Sequence, residues 1–254
     1  MIRTLIASFR AASRHICRGV CLVFALACGA APAHALGGNA VSTSTWGLSN
    51  HVVMVLGTRG SVCTGTVLSP TVIVTAAHCT AGSKQIAVAY FEDGRPILQQ
   101  VSAVARNPGF SSNSAVSVDV ALLRLNESLP GRFRPVTMDT GQAGREVGET
   151  LTIAGFGLAE EKDFKSAGTL RTARVDLLPK LYPRFLRLGK TGSLDDLAIC
   201  KGDSGGPVFT GGAVLVGVVY AAERTGKAKT CGATAQAVRL APQMNWINGI
   251  LARW

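Results

Sequence analysis

A serine set among glycines is the strongest chemical signal in this chain: Gly202-Asp203-Ser204-Gly205-Gly206, closed by Pro207. A hydroxyl is a weak nucleophile, and glycines around it remove the side chains that would keep a substrate backbone away. They also leave the N–H groups of Gly202 and Ser204 able to point at one spot, where charge developing on a carbonyl oxygen would be held. The same residues also suit an ordinary turn, with Asp and Ser as turn formers. Two further segments weigh against the turn. Thr75-Ala76-Ala77-His78-Cys79 ends a β-branched run with a histidine, and Asp119 heads the apolar run that continues to Leu125. A serine, a histidine to take its proton and a carboxylate to hold the histidine's tautomer suffice for acyl transfer through a covalent intermediate. Alone, His78 reads as a core histidine and Asp119 as a cap on a strand. Occurring together, each in its own setting, they point to chemistry.

The elements that must position these residues begin after a leader. Arg3, Arg10, Arg14 and Arg18, with no acidic residue among them, precede an apolar run from Val20 to Ala31, and Ala33-His34-Ala35 forms a small-x-small cleavage site. This pattern predicts a signal peptide over residues 1–35, cut after Ala35, and an exported product, either secreted or periplasmic. The apolar run is shorter than the roughly 20 residues a membrane-spanning helix needs, so no stable membrane anchor is expected.

Without the leader the basic residues fall from 26 to 22 against 15 acidic ones, a net charge of +7 rather than +11. The cysteines fall to four, Cys63, Cys79, Cys200 and Cys231, and an even number in an exported chain suggests two disulfides. Only His51 and His78 remain as candidate bases. The densest basic run (Arg171, Arg174, Lys180, Arg184, Arg187, Lys190) lacks interleaved aromatics and reads as a solvated face, not a nucleic-acid surface. No metal, nucleotide or flavin motif is present, so no cofactor is expected.

Short β-like runs separated by Gly, Pro, Asn and Ser fill the rest: Val52–Leu56, Val67–Leu68 with Val72–Thr75, Ile86–Phe91, Ile97–Ala105, Val118–Leu125, Thr150–Phe156, Leu170–Leu178, Pro207–Phe209, Val214–Tyr220 and Thr234–Leu240. Regular short strands argue for an all-β barrel or sandwich. Only the tail has helical spacing, with Leu240, Met244, Ile247 and Leu251 on one stripe.

The TAAHC, DVALL and GDSGGP stretches carry a resemblance to the trypsin/chymotrypsin-like serine proteases, and Ile153–Gly157 and the tail at Trp246–Leu251 extend it over nearly the whole chain after the leader. The resemblance implies two six-stranded antiparallel β-barrels with a C-terminal helix. Residues 36–134 would form the first barrel, carrying His78 and Asp119. Residues 135–254 would form the second, carrying Ser204 and the helix. It implies His78 as general base then acid, Asp119 as its orienting carboxylate, Ser204 as nucleophile, and the Gly202 and Ser204 N–H groups as the oxyanion site. It further implies the disulfides Cys63–Cys79 and Cys200–Cys231. Cleavage after Ala35 would leave Leu36-Gly37-Gly38, similar to the family's mature N-terminus, whose α-ammonium would pair with Asp203.

The chain departs from the family at the specificity pocket. Ala198, followed by Ile199, stands where trypsin-like members carry the pocket-base carboxylate, and Asp195 and Asp196 are out of register. Tyr220-Ala221-Ala222 replaces the usual Ser-Trp-Gly. A pocket walled by Ala198, Ile199, Tyr220 and Ala222 suits a small or medium apolar side chain in place of Arg or Lys. Lys201, beside the oxyanion loop, would favour acidic groups or simply face solvent. The expected function is a secreted serine endopeptidase acting on protein or peptide substrates as a monomer. The alternative is a catalytically weak homologue that uses the same cleft for binding or adhesion.

Overall fold

The computed structural model describes residue 36, the backbone of 41–42, and residues 47–58, 60–114, 116–141, 144–160, 163–179, 182–192, 197–211, 213–223 and 231–254. The leader and Asp195 and Asp196 lie outside the described residues. Along the chain, β1 (Val41–Ser42) is followed by β2 (Val52–Gly57), β3 (Ser61–Ser69), β4 (Val72–Thr75), β5 (Ile86–Glu92), β6 (Arg95–Arg106) and β7 (Ala121–Leu125). Then come β8 (Thr137–Met138), β9 (Thr150–Gly155), β10 (Arg171–Leu178), β11 (Phe185–Gly189), β12 (Pro207–Thr210), β13 (Val214–Glu223) and β14 (Thr234–Arg239). A short helix, α1 (Met244–Leu251), follows a single 3-10 turn.

Two six-stranded antiparallel barrels result, the expected architecture. The first closes in the order β2-β3-β4-β7-β6-β5. The second closes through β9, β10, β11, β14, β13 and β12, with β1 added to the edge of β10 and β8 pairing in parallel with β13. Closure removes free strand edges. It also turns alternate side chains inward, as along β6, where exposed and half-buried residues alternate from Pro96 to Arg106.

Ile73, Leu122 and Leu123 from the first barrel and Phe209, Leu186 and Leu188 from the second have almost no accessible surface. Burial of each contributes roughly 1.5–3 kcal/mol. Ile247 and Ile250 of α1 join a cluster that contains residues of both barrels, so the helical stripe docks as its spacing predicts. At the other end of the chain, Leu36 is 1 % exposed and packs with Leu151, Ile153 and Ile199 in the second barrel.

Strand limits differ from the sequence expectation where periodicity is weak. β3 starts at Ser61, not Val67: Ser61, Thr64, Gly65 and Thr66 interrupt the apolar pattern of its first part, yet Val55↔Cys63 and Val53↔Gly65 pair it with β2. The segment 118–120 precedes β7 as turns. β11 was hidden inside the basic run that reads as a solvated face. Its arginine is ion-paired, and nearby Arg171 is 5 % exposed, so part of that run is structural.

Candidate active site

Strand register brings His78 and Asp119 together. β4 and β7 pair antiparallel with Thr75 opposite Ala121, so the chain leaving β4 runs beside the chain entering β7. His78 lies three residues past Thr75, in the 3-10 turn Ala77–Thr80, and Asp119 lies two residues before Ala121. The His78 backbone N–H donates to Asp119 Oδ1 at 2.8 Å, and His78 Nδ1 lies 2.7 Å from Asp119 Oδ2. The carboxylate is buried while the imidazole is exposed, its side chain retaining 40 % of its accessible surface. Asp119 therefore holds both the main chain and the ring of His78 in place and directs Nε2 away from itself. The other candidate base, His51, is committed elsewhere, with Nδ1 2.6 Å from the Arg134 carbonyl.

The serine loop is held from several sides. Thr64 N–H donates to the Ser204 carbonyl at 2.8 Å, and Thr64 Oγ1 donates to the Gly202 carbonyl at 2.9 Å while accepting from Phe156 N–H at 3.0 Å. Thr64 thus clamps the serine loop from the first barrel. Sequence reasoning did not find it, because a lone threonine beside a cysteine carries no signal. Asp203 accepts from the N–H groups of Gly157 at 3.0 Å and Cys200 at 2.8 Å. Complete burial pushes its carboxyl up to about 7 despite these bonds and the Arg171 charge.

The glycines answer to packing as much as to substrate access. Gly202 has φ +106°, and a Cβ there would lie 2.6 Å from the Gly157 Cα. At Gly205, φ is +84° and a Cβ would lie 2.0 Å from the Thr64 carbonyl oxygen. Neither the Gly202 nor the Ser204 N–H has a partner among the described residues, leaving both available to one oxygen. The Ser204 hydroxyl is not hydrogen-bonded to His78 in this conformation, and His78 Nε2 is 3.7 Å from Cys79 Sγ. Such bonds are often loose before substrate binds.

Both predicted disulfides are present. Cys63–Cys79 (S–S 2.04 Å) ties β3 to the histidine turn, and Cys200–Cys231 (2.03 Å) ties the serine loop to the start of the β14 segment. Cys63, His78 and Cys79 cluster within 4.8 Å, but the two sulfurs are bonded to each other and offer no thiolate to a metal.

The four residues singled out for specificity fall in different packing environments. Ile199 lies in the second-barrel core, Ala222 packs against that core, and Ala198 packs with Leu158 and the Cys200–Cys231 disulfide. Tyr220 is half-buried. Its hydroxyl donates to Gln236 Oε1 at 2.5 Å, its ring lies 5.8 Å from that of Phe185, and burial together with the nearby Asp119 carboxylate pushes its phenol up to about 12. Gln236 in turn donates to Glu223, which binds Arg187 through two nitrogens and accepts from Thr234, and these contacts hold the Glu223 carboxyl down near about 2. The pocket that opens beside Ser204, about 210 Å³, is lined by none of these four among the described residues. It is lined by His78, Cys79, Cys63, Ser83, Lys201 and Gly202, among others.

Residues 36–247 match the family model described as Trypsin. Among curated proteins, trypsin delta of Drosophila erecta is 29 % identical over 172 residues, covering 62 % of this chain and 67 % of that protein. The trypsin of Simulium vittatum is 26 % identical over 173 residues, covering 62 % and 69 %. Among solved structures, a scabies mite inactivated protease paralogue superposes with a TM-score of 0.67 at 22 % identity, covering 86 % of this chain and all of that one. Human heparin binding protein does so at 0.67 and 20 % identity, covering 81 % and 93 %. At such identities the structural likenesses speak for the fold alone. With the family model spanning both barrels and all three motif stretches, the chain belongs to the trypsin family of serine proteases.

Proposed function

We propose that the protein is an active serine endopeptidase. The observation that carries this reading is the His78–Asp119 pair at 2.7 Å with an exposed imidazole, facing the same pocket as Ser204. In this reading Ser204 Oγ attacks the carbonyl carbon of a peptide bond while its proton passes to His78 Nε2. Asp119 holds the Nδ1 tautomer and stabilises the imidazolium that forms. The unpartnered N–H groups of Gly202 and Ser204 receive the oxyanion. His78 then gives its proton to the leaving amine, and water, activated by the same imidazole, releases the acyl group.

The finer reading has an exported product. Residues 1–35 act as a signal peptide, and residues 36–134 and 135–254 are the two barrel halves. Among the described residues no helix is long and apolar enough to cross a membrane. Cleavage after Ala35 frees an α-ammonium on Leu36 that pairs with Asp203 and orders the oxyanion loop. Leu36 packs with Ile199, next to Cys200, and with Ile153, two residues before Gly155, where a Cβ would meet Asp203 Oδ1 at 2.2 Å. No carboxylate stands at Ala198, so side chains accepted before the scissile bond are small or medium and apolar.

The second reading, a catalytically weak homologue that binds through this cleft, is favoured by Tyr220 beside Asp119 and by the missing Ser204–His78 hydrogen bond. A fluorophosphonate label separates the two. Stoichiometric labelling of the mature protein, lost in Ser204→Ala, is expected for the enzyme; a folded protein that stays unlabelled refutes it.

A further inference from the structure

We propose that substrates are selected on the leaving-group side of the scissile bond by a basic trough that accepts an acidic segment of the substrate. This rests on the endopeptidase reading and gives it a substrate class. The direction follows from the chemistry. The carbonyl oxygen of the attacked bond lies at the Gly202 and Ser204 N–H groups, and the leaving amine takes its proton from His78. The chain after the scissile bond must therefore run past His78, and that is where the structure is concave.

The pocket there is smaller than the roughly 300 Å³ at which small-molecule sites begin, and suits a side chain or two. One of its walls, Ser83, is also a wall of a second cavity of about 570 Å³ on the outer face of the first barrel. Together they make a continuous path along the leaving-group side. Among the described residues its cations are Lys201 at the near end and Lys84 and Arg106 at the far end, and no Asp or Glu lines either cavity. None of the three cations has a carboxylate partner among the described residues. The Arg106 guanidinium is held in place by donating to Thr80 Oγ1 at 2.6 Å and the Thr80 carbonyl at 2.7 Å, which fixes its position without neutralising it. Leu98 and Val104, exposed on the outward face of β6, supply apolar contacts between the charges.

Among the described residues the opposite side of the bond offers less: Ile199 lies in the second-barrel core, Ala222 packs against it, and the carboxylate of Glu223 is bound by Arg187, Thr234 and Gln236. A path of cations without carboxylate partners among the described residues discriminates by charge complementarity on the leaving-group side.

The test uses internally quenched peptides identical up to the cleaved bond and carrying either Glu or Gln at the four positions after it, with the cut located by mass spectrometry. Each exposed ion pair is worth about a two- to five-fold preference, so three together give a Glu/Gln ratio in kcat/KM of roughly 10 to 100. The ratio should fall toward one at about 0.5 M salt. Within-variant ratios serve as the readout, because they are insensitive to changes in basal activity. Lys201→Gln lowers the ratio for acids at the first two positions, Lys84→Gln lowers it for acids at the last two, and Lys201→Arg restores it. A ratio of one or less at low salt, in protein that labels with fluorophosphonate, overturns the trough and leaves the endopeptidase reading intact. A high ratio unmoved by either glutamine variant overturns its assignment to these residues. Failure to label overturns both readings.

Discussion

The buried Asp203 permits a quantitative test of the proposed activation by the free Leu36 amine. Burial moves its carboxyl from an ordinary 3.8 to about 7. At ~1.4 kcal/mol per pH unit, ionised Asp203 is disfavoured by about 4 kcal/mol above neutral pH when no further cation reaches it. In a chain that continues ahead of Leu36, the folded state therefore holds the proton more tightly than the unfolded state. Its contribution to stability is fully present below pH ~4 and is lost as the pH rises to about 7. A free Leu36 ammonium reverses this by favouring the carboxylate. The ammonium's own pKa is raised by the pairing, so that contribution persists until the pH passes about 8. The backbone adds to the argument. Leu36 sits at φ +42°, where a side chain is strained by roughly 1–2 kcal/mol, and removing the preceding residue removes that dihedral restraint altogether. The assay compares urea unfolding of Ser204→Ala proteins starting at Leu36 and at Ala35, the substitution preventing self-digestion. The two should agree at pH 4 and separate by up to about 4 kcal/mol at pH 7.5, and the active counterpart starting at Ala35 should lose turnover. Equal stability at both pH values, with full turnover of the longer form, would refute the pairing.

Gly205→Ala places a methyl 2.0 Å from the Thr64 carbonyl at a positive φ, and should lower stability by about 3 kcal/mol or more in urea unfolding. Arg187→Met leaves Glu223 without its cation. Because Glu223 is held down to about 2 in the folded state, the pair contributes above pH ~4.5 and fades as the pH falls toward 2. For a pair this exposed the expected loss at pH 7 is about 1 kcal/mol, absent at pH 2.5 in parallel thermal melts.

The motif residues were legible because their signals are local. The strand ending at His78, the strand beginning after Asp119 and the glycine-framed serine each announce themselves within a few residues, and alternation marked most of both barrels. β11 and the first half of β3 were not legible. A strand inside a basic run, such as the one around Arg187, or one whose first half mixes Ser, Thr and Gly with Val62 and Cys63, is recognised only when its partners supply the burial and the hydrogen bonds. Thr64 shows the same limit at the site. Its importance lies in two carbonyls about 140 residues away in the chain, and nothing adjacent in sequence encodes that.

For this protein the sequence by itself determined which chemical groups are present, in what order, and which strands flank them, because residue type and short-range periodicity are local properties. Its family follows from those motifs. Tertiary structure decided what surrounds the groups. It buried Asp203 with no ion-pair partner among the described residues, filled the space around Gly202 and Gly205 with backbone, and set Ile199 in the core with Ala222 against it. It also opened the space beside Ser204 toward Lys201 and Ser83. Burial, electrostatic environment and the direction of a cleft arise from contacts between segments far apart in the chain, so they appear only once both barrels have closed.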